Sequence, residues 1–422
     1  MSNPMPRRQF LSQTAASAAA LLASRALGAP EAEPVTARSY LAAHLYTRAE
    51  VDDWLAGRAF PFAKYSSDYG WLLRSAKFQD GMDDSICVYT YGTSDERITI
   101  NYRDRPCRIN TYGNSFTQCH QVSDGETWQE ALAAHLHEPV RNFGVGGWSV
   151  YQAYLRMMQE EKRHPADYII FNIYEDDHFR NLDAWRNLRA KKHIQFIEPT
   201  LPHVRVNARD GRFEECPNPC PTPESVYHLC DLDWVCAHFE EDFALQILLA
   251  HLNAKMENPD RRYAGILALA TTHGIVTREQ TAANLSATAD ELHRRSAYFA
   301  SERIVEKIEA FAAQTGKRVL YVVSYSPSFI ARHAAEGVRP DQSFIDFMRA
   351  KKLPLVDLLA GHAAELAHYS GDIKDYLKHY FVGHYNPRGN LFTALALKDA
   401  LVAMLEPKPP AYRADPDVTR WK

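Results

Sequence analysis

The chain has 422 residues and a formal net charge of −4. That length can bury a large core, and the acidic balance argues against a nucleic-acid partner, which would want a basic face. Past the first thirty residues, no segment is long and charge-free enough to span a membrane.

The run "PRRQFLSQTAASAAALLASRALGA" joins the paired Arg7 and Arg8 to Phe10-Leu11 and a small-residue apolar stretch. It reads as a twin-arginine export signal over residues 1–29, cleaved near Ala29. Its removal deletes Arg7, Arg8 and Arg25 and no acid, which takes the charge from −4 to −7. The mature protein is therefore expected to be periplasmic or secreted, and to fold before export. Residues 30–106 form an N-terminal extension with "SICVYTYG" and "RITINYR" as a possible hairpin.

From Cys107 onward short apolar runs alternate with helical patterns. Strands are predicted at 107–113, 139–145, 166–174, 318–325 and 353–359. Helices are predicted at 124–137, with Asp124 as cap, at 148–162 and at 392–405. "ADYIIFNIY" is apolar almost throughout, as a strand buried on both faces should be. The alternation predicts an α/β fold, a parallel sheet covered by helices on both sides. Residues 180–315 interrupt it as an insertion, cysteine-rich and then helical, whose helices are expected over the mouth of the sheet. Residues 409–422 are a tail. Within the insertion, "GIVTREQTAANLSATADELHRRSA" has a superficial helix-turn-helix pattern, which the acidic charge and export signal oppose.

Of seven cysteines, Cys216, Cys220, Cys230 and Cys236 cluster. In an oxidising compartment two disulfides are the expected outcome. A metal site that also uses the interleaved His228 and His238 is one alternative, although the spacing is looser than in zinc modules, and unpaired thiols are the other. Twenty-two tyrosines and seven tryptophans are many for this length; most should be core or groove wall.

Open parallel sheets bind ligands outside the carboxyl ends of their strands. The first strand is followed there by Gly113-Asn114-Ser115, the second by "GVGGWS" and the third by "YEDDHFRN"; "GHYNPRGN" precedes the last helix. Together these supply what acyl transfer requires. Ser115 is a candidate nucleophile and His384 the base that takes its proton. The N–H groups of Ser115 and Gly147 are candidate oxyanion donors.

Four loops in this order resemble the blocks of the SGNH (GDSL-type) hydrolases, over residues 107–178 and 318–405. The family's Gly-Asp-Ser is matched by Gly113-Asn114-Ser115, its Asn-x-Gly-x-x-Gly turn by Asn142, Gly144 and Gly147, and its last block by "HYNPRG", with His384 and Asn386. The resemblance implies a flavodoxin-like three-layer α/β/α sandwich, split into core segments 107–179 and 316–408. It implies ester hydrolysis without metal or cofactor. Together with export it implies an O-acyl, in particular O-acetyl, ester on a carbohydrate as substrate.

Two positions depart from the family pattern. The third block normally donates to the oxyanion from an asparagine; Asp176 stands there, followed by Asp177, so that either Asp176 is held protonated, or Asn172 or another group donates, or the site does not perform the usual chemistry. The triad acid belongs two or three residues before the histidine, where Val382 and Phe381 stand. His384 is then expected to act in a dyad, oriented by a backbone carbonyl, or to be held by a remote acid such as Asp372, Asp375 or Glu175. A non-catalytic carbohydrate-binding protein and an acyltransferase to a sugar hydroxyl are the competing functions. A dinucleotide fingerprint at "GVGGWS" fails because Ser149 stands where the third glycine belongs, and the Gly-x-Ser-x-Gly elbow fails at Thr117.

Overall fold

The computed structural model describes residues 34–189, 199–253, 264–275 and 282–413. The export signal read at residues 1–29 lies outside them. The centre is a five-stranded, fully parallel sheet of β1 (Ile109–Tyr112), β2 (Arg141–Asn142), β3 (Tyr168–Tyr174), β4 (Arg318–Ser324) and β5 (Leu355–Asp357). Their order across the sheet is 2-1-3-4-5. β3 and β4 are central, long and buried on both faces, which is why they read as unbroken apolar runs. The edge strands β2 and β5 have two and three residues, short enough to offer little unpaired backbone.

Strand order fixes where the helices lie. The chain steps one way from β1 to β2 and the other way from β2 through β5. Right-handed crossovers therefore put helix Trp128–Leu136 on one face and the later crossover helices on the other. The packing agrees. Helix Trp128–Leu136 lies against the closing helix Pro387–Met404, while Val150–Arg163, Ala282–Thr315 and Gln342–Ala350 form the second group. The predicted helix at 124–137 splits into a single 3-10 turn and a helix capped by Thr127. Asp124 is not its cap, because Asp124 Oδ1 accepts instead from Arg97 Nε at 2.9 Å and from the Thr90 N–H at 3.0 Å.

The predicted hairpin between "SICVYTYG" and "RITINYR" does not form as a ladder. Cys87–Tyr89 pairs antiparallel with Ala76–Phe78, and a single bridge, Tyr91 to Arg97, links the two runs. The reason is Arg97, which is buried and pulls its segment towards the core. Its guanidinium donates to the carbonyls of Gln118 (2.6 Å), Cys119 (2.7 Å) and Val122 (2.6 Å). Elsewhere in the extension, Ala63–Ser66 pairs with Gly70–Leu73. The extension and the insertion share one apolar cluster, in which Tyr40, Trp54 and Trp71 meet Val145, Trp148, Trp185, Leu229 and Phe239.

Helix Ala282–Thr315 belongs to two cores. Leu285, Ala289 and Leu292 pack with insertion helices, whereas Ala297, Ala300, Ile304, Val305 and Ile308 pack against the sheet. Its second half is thus the β3-to-β4 crossover helix. The expected disulfides are absent: Cys216, Cys220 and Cys236 are free thiols, and Cys220 and Cys236 sit in the shared apolar cluster. No group of three or more metal-ligating side chains is assembled among the described residues. The tryptophans Trp54, Trp71, Trp128, Trp148 and Trp185 are buried.

Candidate active site

β1 ends at Tyr112, and Asn114 caps a one-turn helix, Ser115–Gln118. The Asn114 side chain works at both ends. Its Oδ1 accepts from the Phe116 N–H (2.9 Å) and its Nδ2 donates to Asp177 Oδ1 (2.8 Å). Gly113 has φ +150°, and a Cβ there would stand 2.7 Å from the Asn172 carbonyl oxygen, so only glycine lets the turn press onto β3. Ser115 is left half-buried at the first helical position, where its N–H has no intrahelical acceptor.

The second loop lies beside it. Asn142 accepts from the Gly144 N–H (2.9 Å) and donates to the Thr117 carbonyl (2.8 Å), which ties this loop to the Ser115 helix. A methyl placed on Gly146 would lie 3.6 Å from Ser115 Cβ. The turn is clamped from outside. Trp71 Nε1 donates to the Gly146 carbonyl (3.2 Å) and Arg186 Nη2 to the Gly147 carbonyl (2.6 Å).

His384 arrives from the other end of the chain, in a turn closed by the Phe381–Tyr385 bridge. Asn386 caps helix Pro387–Met404 through the Gly389 N–H (3.0 Å) and donates to the His379 carbonyl (2.9 Å). His384 Nε2 lies 2.9 Å from Ser115 Oγ. Its other ring nitrogen faces Gln121: Nδ1 is 3.2 Å from Gln121 Oε1, which also accepts the His384 backbone N–H at 2.7 Å. None of the remote acids reaches the imidazole. Asp372 caps helix Ile373–Tyr380, Asp375 pairs with Lys378, and Glu175 holds the Ser326 hydroxyl at 2.7 Å.

The third loop departs most from expectation. Asp176 is neither protonated nor a donor. Arg180 contacts it at 2.8 Å and Arg189 at 2.9 Å, and these guanidiniums hold its carboxyl far below the usual range, outweighing the desolvation of a half-buried group. Asn172 is buried on β3 with its Oδ1 unpartnered, and no contact among the described residues joins it to Ser115 or His384. Asp177 is the structural member. It takes Asn114 Nδ2, the Tyr174 N–H (3.0 Å) and Arg180 Nη1 (2.8 Å), while burial pushes its carboxyl up to about 7. Arg180, quoted in the loop but given no role by sequence, sets the local charge. Gln121, Trp71 and Arg97 carry no motif that would have marked them.

Burial, with the nearby His120 and Arg180, holds the His384 imidazole well below its ordinary value of 6.5. It is therefore neutral at neutral pH and able to accept a proton. A serine hydroxyl beside such a nitrogen has the basic requirement of a nucleophile. Two cavities, of about 540 and 830 Å³, lie around the insertion and share no residue with this cluster. Compared with known proteins, the chain matches no protein-family model and no curated sequence.

Proposed function

We propose that the chain is an exported serine esterase of the SGNH type that removes an O-acyl group, in particular O-acetyl, from a carbohydrate. The observation that carries this reading is the 2.9 Å approach of Ser115 Oγ to His384 Nε2 across 269 residues of chain. Ser115 Oγ attacks the acyl carbonyl carbon as His384 Nε2 takes its proton. The resulting oxyanion is met by the Ser115 N–H and, as second donor, the Gly147 N–H. His384 returns the proton to the departing sugar oxygen, the carbon–oxygen bond breaks, and the acyl group remains on Ser115. Water activated by His384 then releases the acid and restores the hydroxyl.

Ser115, Gly146, Gly147, Gln121 and His384 are all half-buried, so water can reach the acyl-enzyme. That favours hydrolysis over transfer to a sugar hydroxyl. The carbohydrate assignment follows from the family resemblance and the expected export. Among the described residues Tyr412 is the only large aromatic that stands exposed, which leaves the acyl group as the expected determinant of recognition. The test is acetate release from an acetylated oligosaccharide. Ser115→Ala should lose at least about 10⁴-fold in turnover with an unchanged unfolding midpoint. Retained turnover removes Ser115 from the reaction, and glycan binding without any turnover by the unaltered protein favours a binding function.

A further inference from the structure

We propose that Gln121 takes the place an acid holds in a catalytic triad, fixing His384 as the tautomer that carries its proton on Nδ1 and offers Nε2 to Ser115. The inference rests on the esterase reading for its consequence, but its geometry stands apart from it. Which end of the amide faces the imidazole decides the matter. Gln121 Oε1 receives the His384 backbone N–H at 2.7 Å and lies 3.2 Å from Nδ1. Its Nε2 donates to the Asp80 carbonyl at 3.0 Å. A rotated amide would set NH₂ against an N–H and oxygen against oxygen, so the network permits one orientation. With oxygen facing Nδ1, the ring proton is drawn there and the Nε2 lone pair is free for Ser115. An amide that presented its NH₂ instead would put the proton on the wrong nitrogen, a fault that costs about 10⁴-fold in a serine protease triad.

The seat of Gln121 is built. Its backbone has φ +71°, a conformation uncommon outside glycine, and follows another left-handed residue, Cys119. The Tyr89 hydroxyl accepts the Gln121 N–H at 2.7 Å and donates to Asp80 Oδ2 at 3.0 Å. Gly383 leaves the space the amide oxygen occupies: it has φ +137°, and a Cβ there would stand 2.6 Å from Oε1. Asp80 and Tyr89 belong to the N-terminal extension, so a segment without reacting groups aligns the base.

A neutral amide aligns the imidazole without stabilising its charged form as a carboxylate would. The charged or titratable groups that act on the ring are His120, with its centroid 5.0 Å away, and, through its charge, Arg180; Asp80 and Tyr89 stand behind. The base is thus poised to work in mild acid.

The experiment is side-chain ¹⁵N NMR of histidine-labelled full chain, with His384→Gln to assign the resonance, run beside labelling by a fluorophosphonate. His384 is expected in the Nδ1–H form. Gln121→Glu should raise its titration midpoint by about one to three pH units. Gln121→Ala should mix the tautomers and slow labelling by about 100-fold or more. Gly383→Ala, which crowds Oε1 without removing it, should shift the resonance in the same direction as Gln121→Ala. A His384 protonated on Nε2, or a titration unchanged by Gln121→Glu, overturns the proposal. The Nδ1–H form with the expected shift, but no labelling at Ser115, upholds the assignment to Gln121 and removes the esterase reading alone.

Discussion

The parallel sheet and the N-terminal extension contribute in opposite ways to one site. The sheet delivers the groups that would react: Ser115 after β1, the glycine turn after β2 and His384 before the closing helix. The extension delivers none of these, yet it holds the backbone and side chains around them in register. Trp71 clamps the Gly146 carbonyl, Asp80 and Tyr89 seat Gln121, and Arg97 gathers the carbonyls of the loop that leads to it. In the proposed chemistry reactivity depends on strand order, whereas alignment depends on hydrogen bonds from a segment outside the sheet. The two contributions should therefore fail differently when altered.

The largest effect is expected inside the sheet region. His384→Ala should reduce turnover by about 10⁴-fold or more while leaving the unfolding midpoint unchanged; a lowered midpoint with proportionate loss of activity would make His384 structural. In the unaltered protein the sign of the pH dependence follows from its depressed value. The base is lost only when pH falls below the folded-state value, so the acid limb of kcat/KM should lie below 6.5 and the rate should be level above it. A limb at or above 6.5 would contradict the burial and the charge of Arg180 as its causes.

Arg97→Gln addresses the extension and should act on stability first. It strips a buried cation from Asp124 and from three loop carbonyls, at a cost of about 3 to 5 kcal/mol by denaturant unfolding. A much smaller loss would mean that the extension does not brace the loop. Trp71→Phe keeps an aromatic ring but removes the pyrrole half of the indole and with it the bond to Gly146; at least about 1 kcal/mol, or a roughly fivefold fall in kcat/KM, is expected. Asp375→Asn marks the lower bound. The residue is exposed and among the described residues its carboxylate pairs only with Lys378, so stability should change by less than about 0.5 kcal/mol. Any clear loss of activity would restore a remote acid to the triad.

The same division explains what could be read in advance. β3 and β4 were visible as apolar runs because both their faces are covered, and β1 and β2 because glycine-bearing loops end them. The pairing of Ser115 with His384 followed from strand ends sharing one edge. The extension gave no such pattern. Its strands are three or four residues long and, among the described residues, pair only with one another, and the apolar cluster that fixes them draws on residues far away in the chain. Asp124 looked like a helix cap because local spacing cannot show that Arg97 claims it. Asp176 looked like a failed oxyanion donor because Arg189, thirteen residues on, is invisible as its partner until the chain folds. Gln121 escaped notice for the same reason: its role is set by Asp80 and Gly383, 41 residues before it and 262 after it. The disulfides were inferred from compartment and spacing, whereas the folded chain buries Cys220 and Cys236 as apolar filling.

The most direct test is mass spectrometry of the full chain after reaction with a fluorophosphonate. A single adduct on the peptide that contains Ser115, absent in Ser115→Ala and formed far more slowly in His384→Ala, is the predicted result. An unmodified Ser115, or an adduct formed equally fast without the imidazole, would contradict the pairing on which the proposed chemistry depends.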